Sequence, residues 1–554
     1  MAVFRLFQIL YKLGYLSFTG VFHLLRTIKQ DGINAMLLLR MAEKSHGAET
    51  ALIDSKEVLS YRELLLGSEK LALILSTDFG ASEHTKTAFL CCNHSVFVQA
   101  LFAASQTGTA IYLLNPGMSQ NQFDAIAAVH NFDLIVFDEE FERLITHTPH
   151  RKKIVKCTGS GKTSLKHLKE RLKRPEVCLQ RSSRSKIVLL TGGTTGKPKE
   201  AEHKPSLFNF LNPFAALLDE LDLRSCRSVY IASPIYYGYG IAFLFSVLAL
   251  GKTAVIQERF DAGQSCELIR RHQIEAVSAV PLMIEKMLNH NAGDLLSLKC
   301  IASGGAKLNP GLIEKTKVEL GDVLYNLYGT SEAGLNIIAR PSDLNRDIRM
   351  AGKAIKGASL RIMDNRQEAA AGQIGALCTR NGWSMSGKNN TWLATGDLAW
   401  KDAEGFYYLS GRQDDMVVSA GVNIYPLEVE GALACHPLII DAAVIGVEDK
   451  TYGQILKAFV KAAPAAHLTE EMVLEWLKPR LAKVQLPRSV AFVSELPYTA
   501  LGKPDKKKLF NYPLERKDGI IDENGTGENA GGGNVRSDRP GTDSASPESS
   551  PSHC

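Results

Sequence analysis

The chain has 554 residues, of which 45% are hydrophobic and 22% charged, with a formal net charge of +5. That length exceeds one ordinary core, so at least two domains are expected, and so mild a charge gives no electrostatic footprint for nucleic acid. Ten cysteines are scattered without a C-x-x-C pair and fourteen histidines show no H-E-x-x-H spacing. The pattern excludes a disulfide framework, reads as a reduced, cytoplasmic thiol population, and leaves a zinc site unexpected.

The first 26 residues carry no acidic group, and Arg5, Gln8, Lys12, Tyr15, Thr19, His23 and Arg26 recur at steps of three or four. This is one narrow polar stripe on an otherwise apolar helix over residues 1–30, the pattern of a segment lying in a membrane interface. Lys12 interrupts the apolar run and no small-x-small site follows it, so neither a span nor a cleaved signal is expected. The expected location is peripheral, on the inner face of the membrane; the alternative is a helix packed on its own domain.

From Ala51 onward, apolar runs such as Thr87–Cys92 alternate with helical patterns such as Tyr61–Leu75. The alternation continues through the runs starting at Ser228, Lys252, Ala276 and Cys300, which predicts α/β layers with parallel strands. Residues 162–174 place Leu165, Leu168 and Leu172 on one face and bases elsewhere, a basic amphipathic helix with a solvated face. Thr158–Thr163 ends like a Walker loop, but Lys156 stands where that loop needs glycine. After Arg412 a smaller α+β unit is expected, with strands at 442–446 and 458–461 and a helix from Glu470 to Val484. From about Asn511 the composition collapses to Gly, Ser, Asp, Glu and Pro, which cannot bury enough surface to fold.

Chemistry concentrates in five segments. Thr191-Gly192-Gly193-Thr194-Thr195-Gly196-Lys197-Pro198-Lys199 follows an apolar strand and offers three glycines, three threonines and two lysines, as holding a polyphosphate requires. Downstream, in order, come Tyr325–Glu332 (ending Tyr328-Gly329-Thr330-Ser331-Glu332), Thr395-Gly396-Asp397, Gly411-Arg412-Gln413-Asp414-Asp415 and Leu501-Gly502-Lys503. With these in this order, the chain resembles the adenylate-forming superfamily of acyl-CoA synthetases, luciferases and peptide-synthetase adenylation domains, from about residue 45 to 512.

The resemblance implies an α/β fold: a large adenylate-forming domain of layered sheets and helices (45–411) and a small mobile α+β lid (412–511), beyond which the composition sets apart a disordered tail (512–554). It implies that ATP converts a carboxylate to acyl-AMP, which a thiol then attacks, with Mg²⁺ and coenzyme A as cofactors. By the same resemblance Thr191, Gly192, Gly193, Thr194, Thr195, Gly196 and Lys199 close over the β- and γ-phosphates, while Gly304, Gly305 and Ala306 lie against adenine. Tyr328, Gly329 and Thr330 carry the signature in which Tyr328 stacks near adenine, Ser331 contacts the α-phosphate and Glu332 holds Mg²⁺. Asp397 and Arg412 reach the ribose, Asp414 is the hinge, Lys503 offsets charge in the first step and Gly421 lets the pantetheine thiol pass. Lys506, Lys507 and Lys508 are assigned to a solvated helix face.

Three positions depart from the pattern: Gly192 replaces a usual serine, Glu200 a usual glycine, and Tyr237 a usual histidine at the mouth of the acyl pocket, beside Gly238. The run from Gly411 to Pro426 resembles long-chain fatty-acid members, and the apolar N-terminal segment favours a membrane-dissolved substrate, so a fatty acid is the expected substrate. An aryl or medium-chain acid, an acyl carrier protein as acceptor, and an inactive binding protein are the alternatives.

Overall fold

The computed structural model describes residues 18–147, 153–159, 163–172, 182–191, 199–204, 206, 209–364, 367–419, 422–449, 452–463, 467–499 and 503–512. Six parallel strands lie toward one edge of a fourteen-stranded sheet, inside the antiparallel edge strand Val58–Ser60: in spatial order Thr50–Ile53, Thr253–Ile256, Ser228–Ile231, Ala276–Ala279, Cys300–Gly304 and Leu324–Thr330. The sheet continues antiparallel through Gly334–Ala339 and out to Gln367–Glu368. A second, six-stranded sheet runs Lys153–Lys156, Leu134–Phe137, Lys86–Leu90, Ala110–Leu113, Lys186–Thr191, Lys199–His203, parallel except for the last strand. The parallel α/β alternation expected from the sequence is therefore present twice.

The two sheets share one core. Every residue from Ser95 to Gln106 of the helix Ser95–Thr107 is buried, including Gln99, and Phe89, Phe97, Phe102, Leu217, Leu244 and Ile256 join one apolar cluster. A helix this apolar has no solvent face to offer and must sit between layers. Helices begin where the sequence supplies caps. Ser60 and Glu63 form a reciprocal capping box on Tyr61–Thr77, and Ser119 and Gln122 form another on Gln120–His130.

A five-stranded sheet with its own core follows Arg412: Val429, Leu433, Val444, Val460, Val473 and Leu477 pack together beneath the hairpin Ile439–Asp449/Gly453–Ala462. The helix expected over residues 470–484 is shorter, Glu470–Leu477, followed by a separate turn at Lys483–Gln485. Pro479 follows the helix directly and has no N–H with which to continue its ladder, while Lys478, the C-cap, keeps right-handed helical angles (φ −51°, ψ −46°).

Two basic segments also differ from expectation. The helix over 162–174 is Leu165–Arg171, and Lys169 does not face solvent freely; it donates to the buried Gln99 Oε1 at 2.7 Å, and burial lowers its pKa. Lys506 likewise leaves the solvated face assigned to it and pairs with Asp415 at 2.9 Å.

The described part of the N-terminal segment is a helix, Phe18–Asp31. Leu24 and Ile28 pack on Leu37 and Met41 of the next helix, while Phe22 and Leu25 are 56% and 63% exposed. So the segment is packed on its own domain on one side and bare and apolar on another. Residues 1–17, and with them Arg5, Gln8, Lys12 and Tyr15, lie outside the described residues, as does the tail from 513. Among the described residues no helix is long and apolar enough to cross a membrane.

Candidate active site

Three separated motifs meet at Asp397. The strand Leu324–Thr330 delivers Tyr328, whose hydroxyl donates to Asp397 Oδ2 at 2.5 Å. The strands Leu393–Lys401 and Tyr407–Arg412 pair Asp397 directly opposite Arg412, whose Nη1 donates to Asp397 Oδ1 at 3.2 Å and whose Nε donates to Asp414 Oδ1 at 3.0 Å. Burial, with the Asp397 charge adding to it, pushes the Tyr328 phenol well above its ordinary value, so it stays a hydrogen-bond donor. Gly396 is required here. Its φ is +79°, and a Cβ would lie 3.0 Å from Arg412 Nη2.

The segment Thr330–Glu332 turns between the strands Leu324–Thr330 and Gly334–Ala339, and Gly329 closes it: a Cβ there would lie 2.4 Å from the Gly334 carbonyl. Thr330 Oγ1 accepts the Ala333 amide at 3.1 Å. The Ser331 carbonyl accepts from His203 Nε2 at 2.8 Å, and the Glu332 carbonyl accepts the Met385 amide at 2.7 Å. Among the described residues the Glu332 carboxylate makes no hydrogen bond or ion pair.

His203 was not singled out from the sequence, where it is one of fourteen histidines in a strand of otherwise ordinary composition. Burial lowers its pKa and keeps the ring neutral. A carbonyl can only accept, so the proton must be on Nε2, and Nδ1 is left as a buried acceptor without a partner among the described residues. Ser303 Oγ, beside Gly304, is another buried polar atom without a partner among the described residues. Native structures satisfy nearly all such groups, so the His203 Nδ1 acceptor, on the ring that holds the Ser331 carbonyl, fits a polar ligand bound against this turn.

Gly304 ends the strand Cys300–Gly304, and the atoms a Cβ there would strike belong to Tyr239, 2.9 Å away. Gly305 has φ +82° and stays exposed, and Ala306 follows it. Tyr239 donates to the Ala302 carbonyl at 2.7 Å and stacks edge-on to Phe243. Tyr237 precedes the helix Gly238–Ala249 and packs on Tyr236 with ring centroids 4.5 Å apart; burial pushes its hydroxyl up to about 12. Gly238 lies against Leu189, where a Cβ would come within 2.8 Å.

The structure does not bring every candidate together. Lys503 is exposed, its backbone paired with Thr499, and its ammonium makes no hydrogen bond or ion pair among the described residues. Gly192, Gly193, Thr194, Thr195, Gly196 and Gly421 lie outside the described residues; for Thr191 and Lys199 only the backbone pairing that closes the hairpin is described. Glu200, the departure flanking that loop, turns its carboxylate to His130 Nδ1 at 3.6 Å.

Residues 39–387 match the model of the AMP-binding enzyme family, and residues 428–503 match the AMP-binding enzyme C-terminal domain. The chain belongs to the AMP-binding enzyme family. The adenylate-forming resemblance and the fold it implied, a large domain with a smaller C-terminal one, therefore hold for this enzyme. The 2-succinylbenzoate–CoA ligase of Bacillus licheniformis is 28% identical over 473 residues, 83% of this chain and 96% of its own length. The feruloyl-CoA synthase of an Amycolatopsis species is 27% identical over 86% of this chain and 98% of its own. Among solved structures, the o-succinylbenzoate CoA synthetase of Bacillus subtilis, in complex with its acyl-adenylate intermediate, superposes with a TM-score of 0.74 at 25% identity. It covers 88% of this chain and 99% of its own.

Proposed function

We propose that this AMP-binding enzyme is an acid–thiol ligase that makes an acyl-AMP from ATP and a carboxylic acid and passes the acyl group to coenzyme A. The observation that carries the reading is the hydrogen-bonded set Tyr328–Asp397–Arg412–Asp414, assembled from three segments far apart in the chain. A partly buried carboxylate has two oxygens with which to accept the hydroxyls of a ribose; Arg412 orients it, and the Tyr328 hydroxyl holds Oδ2 until the nucleotide arrives. Gly304, Gly305 and Ala306 leave room for adenine, and Ser331 stands at the turn where the α-phosphate would lie.

The Glu332 carboxylate is the hard oxygen donor that fits Mg²⁺, which would offset phosphate charge when bound. The Thr191–Lys199 hairpin supplies the phosphate loop and Gly421 the passage for the thiol. Lys503 reaches the reacting carboxylate when the small domain turns about Asp414. That turn explains why its ammonium is unpaired here. Its charge is needed in the transition state rather than in the resting protein.

For the acid, the proposal is a compact aromatic carboxylate. The relatives named above act on acids that contain a ring, and Tyr236, Tyr237 and Tyr239 present aromatic faces at the start of the helix Gly238–Ala249. A long-chain fatty acid is the second reading, favoured by the exposed Phe22 and Leu25, which suit a membrane-dissolved substrate. The deciding experiment measures pyrophosphate release by the purified protein with ATP and a panel of benzoic, cinnamic and arylacetic acids beside C6–C16 fatty acids. Highest kcat/KM on a ring-bearing acid, with CoA-thioester formed, is the expected result. Preference for long fatty acids would replace the first reading by the second, and no acid-dependent release would overturn both.

A further inference from the structure

Far from Asp397 in the sequence, at the carboxyl ends of three neighbouring strands, a second set of chemically apt side chains converges. Cys91 follows the strand Lys86–Leu90, Asp138 follows Leu134–Phe137, Cys157 follows Lys153–Lys156, and His94 precedes the helix Ser95–Thr107. All four are buried, Cys91 and Cys157 completely, and one donor atom from each lies within 4.8 Å of all the others. We propose that Cys91, His94, Asp138 and Cys157 form a four-coordinate site for a thiophilic divalent cation of the Zn²⁺ type, which ties together the ends of these strands.

The donor set decides the class of ion. Two sulfurs, one imidazole and one carboxylate suit Zn²⁺, whereas Mg²⁺ and Ca²⁺ take oxygen ligands alone. Four protein ligands drawn from three segments complete a tetrahedral set, which is the composition of a structural site rather than a catalytic one. The carboxylate is already oriented: Asp138 Oδ2 accepts the Cys92 amide at 2.8 Å, and Oδ1 accepts from His94 Nε2 at 2.9 Å and from Thr158 Oγ1 at 3.2 Å. Such outer contacts fix a metal ligand's direction. An entry path exists as well. His94 and Asp138 line a cavity of about 490 Å³, together with Cys92, Thr158 and Lys56.

Binding has one local cost. His94 Nε2 must give up its proton to ligate, so Nδ1 takes a proton and can no longer accept the Phe97 amide it now caps at 3.1 Å. One helix cap is small beside the free energy of a thiolate-bearing zinc site. Burial holds both thiols in their protonated form without metal, so binding releases protons. The sequence hid the site because only Cys91-x-x-His94 is local; Asp138 and Cys157 are supplied by later strands.

The test uses the full-length, tag-free protein, reduced and stripped with a chelator, then titrated with Co²⁺ and, separately, Zn²⁺. The expected result is one Co²⁺ per chain with a near-ultraviolet sulfur-to-cobalt charge-transfer band and tetrahedral visible bands, and a higher melting temperature with Zn²⁺. Both effects should be lost in Cys157→Ser and kept in Cys435→Ser, which changes an exposed cysteine. No charge-transfer band in the wild type overturns the site without reliance on any variant. Persistence of the band in Cys157→Ser, or a Cys91–Cys157 disulfide in the freshly purified protein, overturns it equally.

Discussion

The Tyr328 hydroxyl and the Asp397 carboxylate, 69 residues apart in the chain, share a hydrogen bond of 2.5 Å, and Arg412 takes the carboxylate's other oxygen. Both oxygens are thus already engaged in the geometry that a ribose would need. Nucleotide binding must compete with Tyr328 for Oδ2 while it gains a carboxylate that has no freedom left to lose.

Asp397→Asn should therefore cost more than Tyr328→Phe. Asparagine offers one acceptor where two are used, and a hydrogen bond to a charged group contributes about 1.5–3 kcal/mol. We expect kcat/KM for ATP to fall by about 10- to 100-fold in Asp397→Asn. Tyr328→Phe removes only the competing donor and should change it by less than about fivefold. Pyrophosphate release at varied ATP, with melting temperatures as a fold control, distinguishes the two; equal losses would remove Asp397 from the ribose site.

Lys503→Ala should separate the half-reactions. Acyl-AMP formation should fall by orders of magnitude, while thioester formation from supplied acyl-AMP continues, since the exposed Lys503 ammonium holds no partner among the described residues. Single-turnover assays of each step read the split directly. Equal loss of both steps in a folded variant would show that Lys503 does not act by domain alternation.

His203 should be a positioning residue for the Ser331–Glu332 turn. In His203→Phe the Ser331 carbonyl loses its donor, a net cost of about 1 kcal/mol, and the buried Nδ1 acceptor disappears. KM for ATP should rise about fivefold with kcat nearly unchanged. A kcat loss without a KM change would instead place the ring against the reacting atoms.

The order of the motifs made the family and the two-domain fold legible, because each motif is a local run of residues with a fixed chemical task. Apolar periodicity carries the expected helix from Glu470 on to Val484, whereas the helix ends at Leu477, just before Pro479, which has no N–H to donate. Lys169 and Lys506 belong by spacing to solvated helix faces, and Glu200 stands out only as a departure from a usual glycine. Their partners Gln99, Asp415 and His130 lie 70, 91 and 70 residues away, and no spacing rule reaches that far. The same distance hid the convergence on Asp138. Local chemistry is written in runs; ion pairs and ligand sets are written in strand order.

Stability should depend on pH through Asp441. Burial, with Glu285 adding repulsion, pushes this carboxyl up to about 7, against about 3.9 in an unfolded chain. Between these values the folded state holds more protons than the unfolded one, so stability falls as pH rises from about 4 to 7 and levels off above. Asp441→Asn keeps an acceptor for the Ala442 amide but never ionises. It should melt with the wild type near pH 4 and above it at pH 8. Parallel melting curves for the two proteins across that window would show that Asp441 titrates normally.

The helix Phe18–Asp31 makes the last prediction. Its inner side, Leu24 and Ile28, is occupied by Leu37 and Met41, so its exposed Phe22 and Leu25 contribute little to folding. Against a lipid surface, each could contribute about 1.5–3 kcal/mol of apolar burial, and Arg26 and Lys29 about 1 kcal/mol each at an anionic headgroup layer. Replacing both apolar residues, Phe22→Asp with Leu25→Asp, should leave the melting temperature within about 2 °C of wild type, as surface changes usually do. Ile28→Ala should lower it, because it opens a gap against Leu37. If the membrane surface is the partner of the bare face, the double variant should lose at least tenfold in sedimentation with phosphatidylglycerol-containing vesicles, and Ile28→Ala should not. Undiminished sedimentation of the double variant would show that Phe22 and Leu25 do not dock on lipid. A large fall in its melting temperature would show instead that they are part of the fold.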